Sequence, residues 1–236
     1  MPAILIDLDD TLLDYSGGVD ASWESTCAAV SAAAGVDTAA LVTALLDARQ
    51  WFWADPVRQR RERVNMLNAW QQIAARALAD CGCVTASLAV SMAEDYAERR
   101  RQAMALFPDA RATLEHFRAA GARLGLVTNG DTRQQRDKIE RHGLGPFFDV
   151  IVIEGEFGAG KPDAVVYRHA LDALRAAPTD AVMIGDHLEN DVLGSQQVGI
   201  LGIWLDRPGV GLPADCTIRP HRIIRGLTEL HAADRP

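Results

Sequence analysis

A doubly wound parallel α/β sheet interrupted by an all-helical insertion is the fold class that this sequence predicts. Three observations predict it. Short contiguous apolar runs recur along the chain, helical patterns lie between them, and one long stretch after the first run carries helical periodicity with no strand pattern.

The first run, Ala3 to Leu8, contains Ile4, Leu5 and Ile6 in succession, as expected of a strand buried on both faces of a parallel sheet. Arg123 to Thr128, Asp149 to Ile153, Ala181 to Ile184 and Ile200 to Leu205 repeat the pattern. Between them, Ala110, Leu114 and Phe117 mark a helix that ends at Gly121, a residue suited to the left-handed C-terminal position. Arg133 to His142 predicts a second helix ending at Gly143, Asp163 to Ala177 a third stopped by Pro178, and about Asn190 to Gly199 a shorter fourth. In the interrupting stretch, Leu41, Leu45, Ala48 and Phe52 form one helical stripe, and Met66, Trp70, Ile73 and Ala77 another. The expected organisation is an α/β core from residues 1–14 and 106–236, with a helical domain over 15–105 and Phe107-Pro108 marking re-entry.

A chain of 236 residues can hold one sizeable core or a core with a smaller inserted domain. A net charge of -8 without any long Lys/Arg run argues against a nucleic-acid partner. No apolar run reaches the roughly 20 residues needed to span a bilayer. The N-terminus has no basic segment ahead of its apolar run, so a cytoplasmic location is expected. Cys27, Cys81, Cys83 and Cys216 are expected to be free thiols, since Cys81-Gly82-Cys83 lacks a second pair or nearby histidines. Oligomeric state stays open between monomer and homodimer.

Ligands of open α/β sheets bind outside the carboxyl ends of the strands. The first predicted strand ends in Asp7 and Asp9, the second in Thr128-Asn129-Gly130 and the fourth in Gly185-Asp186, while Lys161-Pro162 opens the helix after the third. Four polar segments thus fall on one sheet edge. Asp7, Asp9 and Asp186 gather negative charge that calls for a cation, and an all-oxygen donor set suits Mg2+. Lys161 adds a point charge and Thr128 a hydroxyl. Asn129 and Gly130 can add backbone N–H groups at a helix start, so the set fits phosphate. A carboxylate beside a metal and a phosphate can attack phosphorus and form an aspartyl-phosphate.

These segments resemble, in order, the four motifs of the haloacid dehalogenase superfamily: ILIDLDDTLLD, LVTNG, GKPD and GDHLEND. The likeness covers nearly all of the chain outside the helical block. That block is similar to the cap of phosphoglycolate-phosphatase-like and N-acylneuraminate-9-phosphatase-like members. The resemblance implies a Mg2+-dependent phosphatase acting on a small phosphorylated metabolite. Asp7 would be the nucleophile, and Asp9 the acid that protonates the leaving oxygen and then the base that activates water. Asp7, the backbone carbonyl of Asp9, and Asp186 would hold the metal, and Thr128, Asn129 and Lys161 the phosphate oxygens. Asp191 would orient Lys161 or a metal-bound water. Asp10 is expected outside the reaction centre, and His187 in a supporting position behind the site or at the surface rather than against substrate or a metal-bound water. In the cap, Arg58, Arg60, Arg61 and Arg63 read as a solvated face, and Trp51, Phe52 and Trp53 as core. The rival readings are a dehalogenase of the same superfamily, against which Asp9 argues, and a non-catalytic phosphoacceptor or binding protein.

Overall fold

Contiguous apolar residues make the centre of the sheet. Strand β1 (Ala3–Ile6) is buried at every position, because neighbours cover it on both edges and both faces. A computed structural model describes residues 3–231. The chain folds as two compact units, Met1–Asp14 with Ala105–Pro236, and Tyr15–Met104.

The second unit is all helix: α1 (Val19–Ala34), α2 (Thr38–Trp53), α3 (Pro56–Glu62), α4 (Met66–Asp80) and α5 (Ala86–Ala103). Asp37 and Asp55 cap α2 and α3, Asp37 accepting from Ala40 N–H and Asp55 from Val57 and Arg58 N–H. The α2 stripe of Leu41, Leu45, Ala48 and Phe52 is buried, as are Trp70, Ile73 and Ala77 of α4. Trp23 stacks on Tyr96 with ring centroids 3.6 Å apart, and Trp70 meets Tyr96 edge-on. Each large apolar side chain buried here contributes about 1.5–3 kcal/mol. Of the three consecutive aromatics expected in the core, Trp51 instead turns outward, 43% exposed. Arg58 covers its ring at 3.9 Å, so an amphipathic cation–π pair takes the place of apolar packing.

The first unit continues with α6 (Ala110–Ala119), β2 (Arg123–Thr128), α7 (Thr132–Arg141), β3 (Val150–Ile153), a single turn α8 (Glu154–Phe157), α9 (Ala164–Leu174) and β4 (Ala181–Gly185). A π-helical turn over Leu188–Leu193 runs into α10 (Gly194–Gln196), followed by β5 (Leu201–Leu205) and β6 (Arg222–Ile224). The sheet is parallel throughout, in the order β3-β2-β1-β4-β5-β6. Chain progression reverses at β1, and the crevice at such a switch point is where ligands bind. One face is sealed by α9, whose Tyr167, Ala170, Leu171 and Leu174 pack with Leu5, Val127, Val152 and Met183.

Strand β6 lies outside the sequence expectation. It has three residues at the sheet edge, and only Ile224 is buried, too little to register as a period. The second predicted core helix starts at Thr132, where the Asp131 side chain accepts from Gln134 N. The third ends at Leu174, because Arg175 turns to φ 51° and closes it ahead of Pro178. Among the described residues no helix is long and apolar enough to cross a membrane.

Candidate active site

At the carboxyl end of β1 the chain leaves the ladder at Asp7, whose N–H still donates to Ile184 O at 3.0 Å. The Asp7 carboxyl is therefore carried at the end of a strand paired on both sides and is only 7% exposed. Beyond it, Leu12 N and Leu13 N both return to Leu8 O, and Asp10 takes φ 59°, a conformation that aspartate tolerates better than most residues. This tight turn sends Asp7 and Asp9 to different partners.

Asp7 Oδ1 accepts from Lys161 Nζ at 2.5 Å, and the same ammonium donates to Asp191 Oδ1 at 2.6 Å. Asp191 is buried, and its Oδ2 accepts from His187 N at 2.9 Å. Asp186 follows β4, and its carbonyl accepts from Trp204 Nε1 at 2.7 Å. Ligand oxygens of Asp7, Asp186 and Asp191 all lie within 4.8 Å of one another. One lysine cannot neutralise three carboxylates, and the electrostatics register the deficit. Burial, reinforced by Asp191 and Asp186 against the opposing Lys161, holds Asp7 well above the usual carboxylate range. Burial first, then Asp191 and Asp10, push Asp186 up to about 7. Burial works to lower Lys161, but Asp191 and Asp7 outweigh it and raise it above the ordinary ammonium value. A hard divalent cation is what such an oxygen set accommodates.

The Asp9 carboxylate stands apart from this cluster, contrary to the expectation that it crowds with Asp7 and Asp186. Both its oxygens accept from Lys138 Nζ at 2.8 Å, and Oδ2 also accepts from Gln135 Nε2 at 3.0 Å. Asp191 takes its place in the acidic group.

Thr128, at the end of β2, is buried, and its Oγ1 accepts from Gln135 Nε2 at 2.6 Å. The Asn129 side chain is committed elsewhere: Nδ2 donates to Lys161 O at 2.8 Å, and Oδ1 accepts from Lys161 N at 2.7 Å. It holds the lysine loop. Gly130 N–H, expected as an anion donor, gives its hydrogen bond to Glu154 Oε2 at 3.0 Å. His187 is exposed, and its Nδ1 accepts from Asn190 N, which fits the surface role. Asp10 carries enough charge near Asp186 to help raise it.

Sequence reasoning missed Gln135, Lys138 and Trp204. The first two left a trace. They sit three apart on α7 beside Ile139, and these three are the residues buried on that helix, so its inward face is mostly polar.

An open parallel sheet with such a cluster at the carboxyl edge beside its switch point has the architecture of an α/β enzyme. The chain belongs to the haloacid dehalogenase-like hydrolases, whose family model matches residues 1–199. A phosphoserine phosphatase from Thermus thermophilus is 36% identical over 183 residues, 77% of this chain and 67% of that protein. The N-acylneuraminate-9-phosphatase of Rattus norvegicus is 38% identical over 134 residues, a match that spans 56% of this chain and only 53% of the relative. Among solved structures, a 2-haloacid dehalogenase from Pseudomonas syringae is 26% identical with a TM-score of 0.66, covering 98% of this chain and 96% of that one.

Proposed function

We propose that the chain is a Mg2+-dependent phosphatase that hydrolyses a small phosphate monoester through an aspartyl-phosphate on Asp7. The observation that carries this reading is the separation of two carboxylates two residues apart. Asp7 lies with Lys161 and the acidic cluster, while Asp9 lies with Lys138 and Gln135. This separation supports reading Asp7 as the nucleophile and Asp9 as the acid and base.

Asp7, Asp186 and the Asp9 carbonyl would hold Mg2+, with Asp191 behind Lys161. The cation would supply charge neutralisation for the transferring phosphoryl group. Lys161 draws phosphate oxygens toward Asp7, and the Thr128 hydroxyl donates to another. Asn129 serves this site by fixing Lys161. An Asp7 oxygen forms the new bond to phosphorus as the ester P–O bond breaks, and Asp9 gives its proton to the departing alkoxide. Asp9, now a base, takes a proton from water, whose oxygen attacks phosphorus. The Asp7–phosphorus bond breaks, and inorganic phosphate leaves with the Asp7 carboxylate restored.

The dehalogenase alternative uses a nucleophilic aspartate but expels halide, which needs no proton. A second carboxylate held as firmly as Asp9 favours the phosphatase. The two phosphatase relatives make O-phosphoserine and N-acylneuraminate 9-phosphate the first substrates to screen, followed by sugar phosphates, nucleotides and phosphoglycolate.

The test is turnover of p-nitrophenyl phosphate with Mg2+. Asp7→Asn is expected to abolish it, and EDTA to suppress it. Asp9→Asn is expected to keep phosphate binding while slowing turnover about 10²-fold or more. Full activity in Asp7→Asn, or turnover indifferent to EDTA, overturns the reading.

A further inference from the structure

Helix α7 carries a buried cation, Lys138, that takes no direct part in the proposed bond-making steps. The Lys138 side chain is 3% exposed, against 24% for its partner Asp9. Burying an ammonium is strongly unfavourable unless it is paired and hydrogen-bonded. An apolar residue at 138 would pack under the same helix without that penalty, so the ion pair calls for a role other than packing.

The geometry supplies one. Lys138 Nζ reaches both oxygens of Asp9 at 2.8 Å and Gln135 Oε1 at 2.7 Å. This fixes the Gln135 amide, since its oxygen must face the ammonium and its NH2 must face acceptors. Those acceptors are Asp9 Oδ2 at 3.0 Å and Thr128 Oγ1 at 2.6 Å. A hydroxyl that accepts from Gln135 keeps its own proton for another partner. Among the described residues that proton reaches a long contact, 3.4 Å to Asn129 O.

We propose that Lys138 and Gln135 are positioning residues for phosphate transfer: Lys138 sets the direction of the Asp9 carboxylate, and Gln135 turns the Thr128 hydroxyl proton toward the substrate phosphate. This rests on the phosphatase reading. It assigns the alignment of acid/base and phosphate donor to one face of α7, at neighbouring turns. Misplacing a reacting group by about 1 Å costs up to about 10²-fold in rate, which sets the size of effect expected.

The experiment compares two esters under single-turnover conditions with the full chain and Mg2+. Glycerol 2-phosphate releases an alkoxide that needs a proton, and p-nitrophenyl phosphate releases a phenolate that does not. Lys138→Met is expected to slow glycerol 2-phosphate cleavage about 10²-fold while changing nitrophenolate release less than about threefold. Lys138→Arg, which restores the charge and the donors, is expected to recover most of that loss. Gln135→Met is expected to raise KM for both esters about tenfold, with a smaller effect on kcat. It also carries the test if Lys138→Met does not fold.

Equal losses on both esters in a folded Lys138→Met, or wild-type rates in Lys138→Met or wild-type KM in Gln135→Met, overturn the inference. If turnover is abolished by Asp7→Asn yet unaffected by the α7 variants, the phosphatase reading stands and only the positioning role falls. If the wild type cleaves neither ester, both fall.

Discussion

If Asp186 holds Mg2+ as proposed, protons should compete with the cation for its carboxylate, and the competition has a calculable size. In the metal-free protein, burial with Asp191 and Asp10 raises this carboxyl to about 7, whereas in the unfolded chain it titrates near about 4. The folded state therefore retains a proton that the unfolded chain releases. The stability gained in this way is fully present below about pH 4 and is lost as pH rises through about 7. Cation binding runs the other way, because the ligand must be ionised. With a pKa of about 7, roughly three quarters of Asp186 is ionised at about pH 7.5 and roughly 3% at about pH 5.5. The apparent affinity for Mg2+ should then fall roughly 25-fold over that interval, equivalent to about 2 kcal/mol. Asp7, also raised, can only steepen the dependence. Calorimetric titration of the metal-free protein across this range measures it directly. A carboxylate titrating near about 4 would lose only about 3% of its ionised form. An affinity that changes less than about twofold would therefore refute the argument from burial and crowded charge.

Two substitutions test the scaffold beneath the site. A Cβ at Gly185 would stand 2.2 Å from Asp191 Cγ, so Gly185→Ala should push Asp191 off Lys161. That should cost about 1–3 kcal/mol by urea denaturation and at least about tenfold in kcat; an unchanged midpoint and rate would show that the carboxylate has room to yield. Asn129→Ala removes both side-chain bonds to the Lys161 backbone and should lower stability by about 1–3 kcal/mol and kcat about tenfold. If stability holds while inorganic phosphate inhibits less strongly, the side chain acts on the ligand itself.

The strands that position the site were legible because burial on both faces leaves continuous apolar runs, as at Ala3–Ile6 and Ala181–Gly185. The polar segments at their ends were legible because acids, Lys161 and Thr128 are conspicuous beside such runs. Partner choice was less so. Whether Asp9 sits with Asp7 or with α7 depends on a turn through Asp10 at φ 59°, and nothing in the run of aspartates specifies that turn. Asn129 reads equally well as a ligand group or a latch until Lys161 is seen opposite it. Gly130 offers its N–H in the right place, but Glu154 reaches it from another segment. Gln135 and Lys138 were legible in retrospect, since a helix against a sheet should present an apolar face and α7 does not.

The insertion point also bears on how the chain folds. Ala3 pairs with Arg123 on one side and Ala181 on the other, so the strand that carries Asp7 finds neither neighbour until more than half of the chain exists. Leu13 and Leu106 form a bridge, and Asp14 N–H reaches Ala105 O at 2.9 Å. To the sheet, then, the whole helical unit is one loop closed at its base. Closure entropy grows only logarithmically, by about 0.6 kcal/mol for each doubling of a flexible loop. The length of the insertion should therefore weigh little on the closure cost that the sheet bears, while the distant pairings of β1 slow the search for the native register.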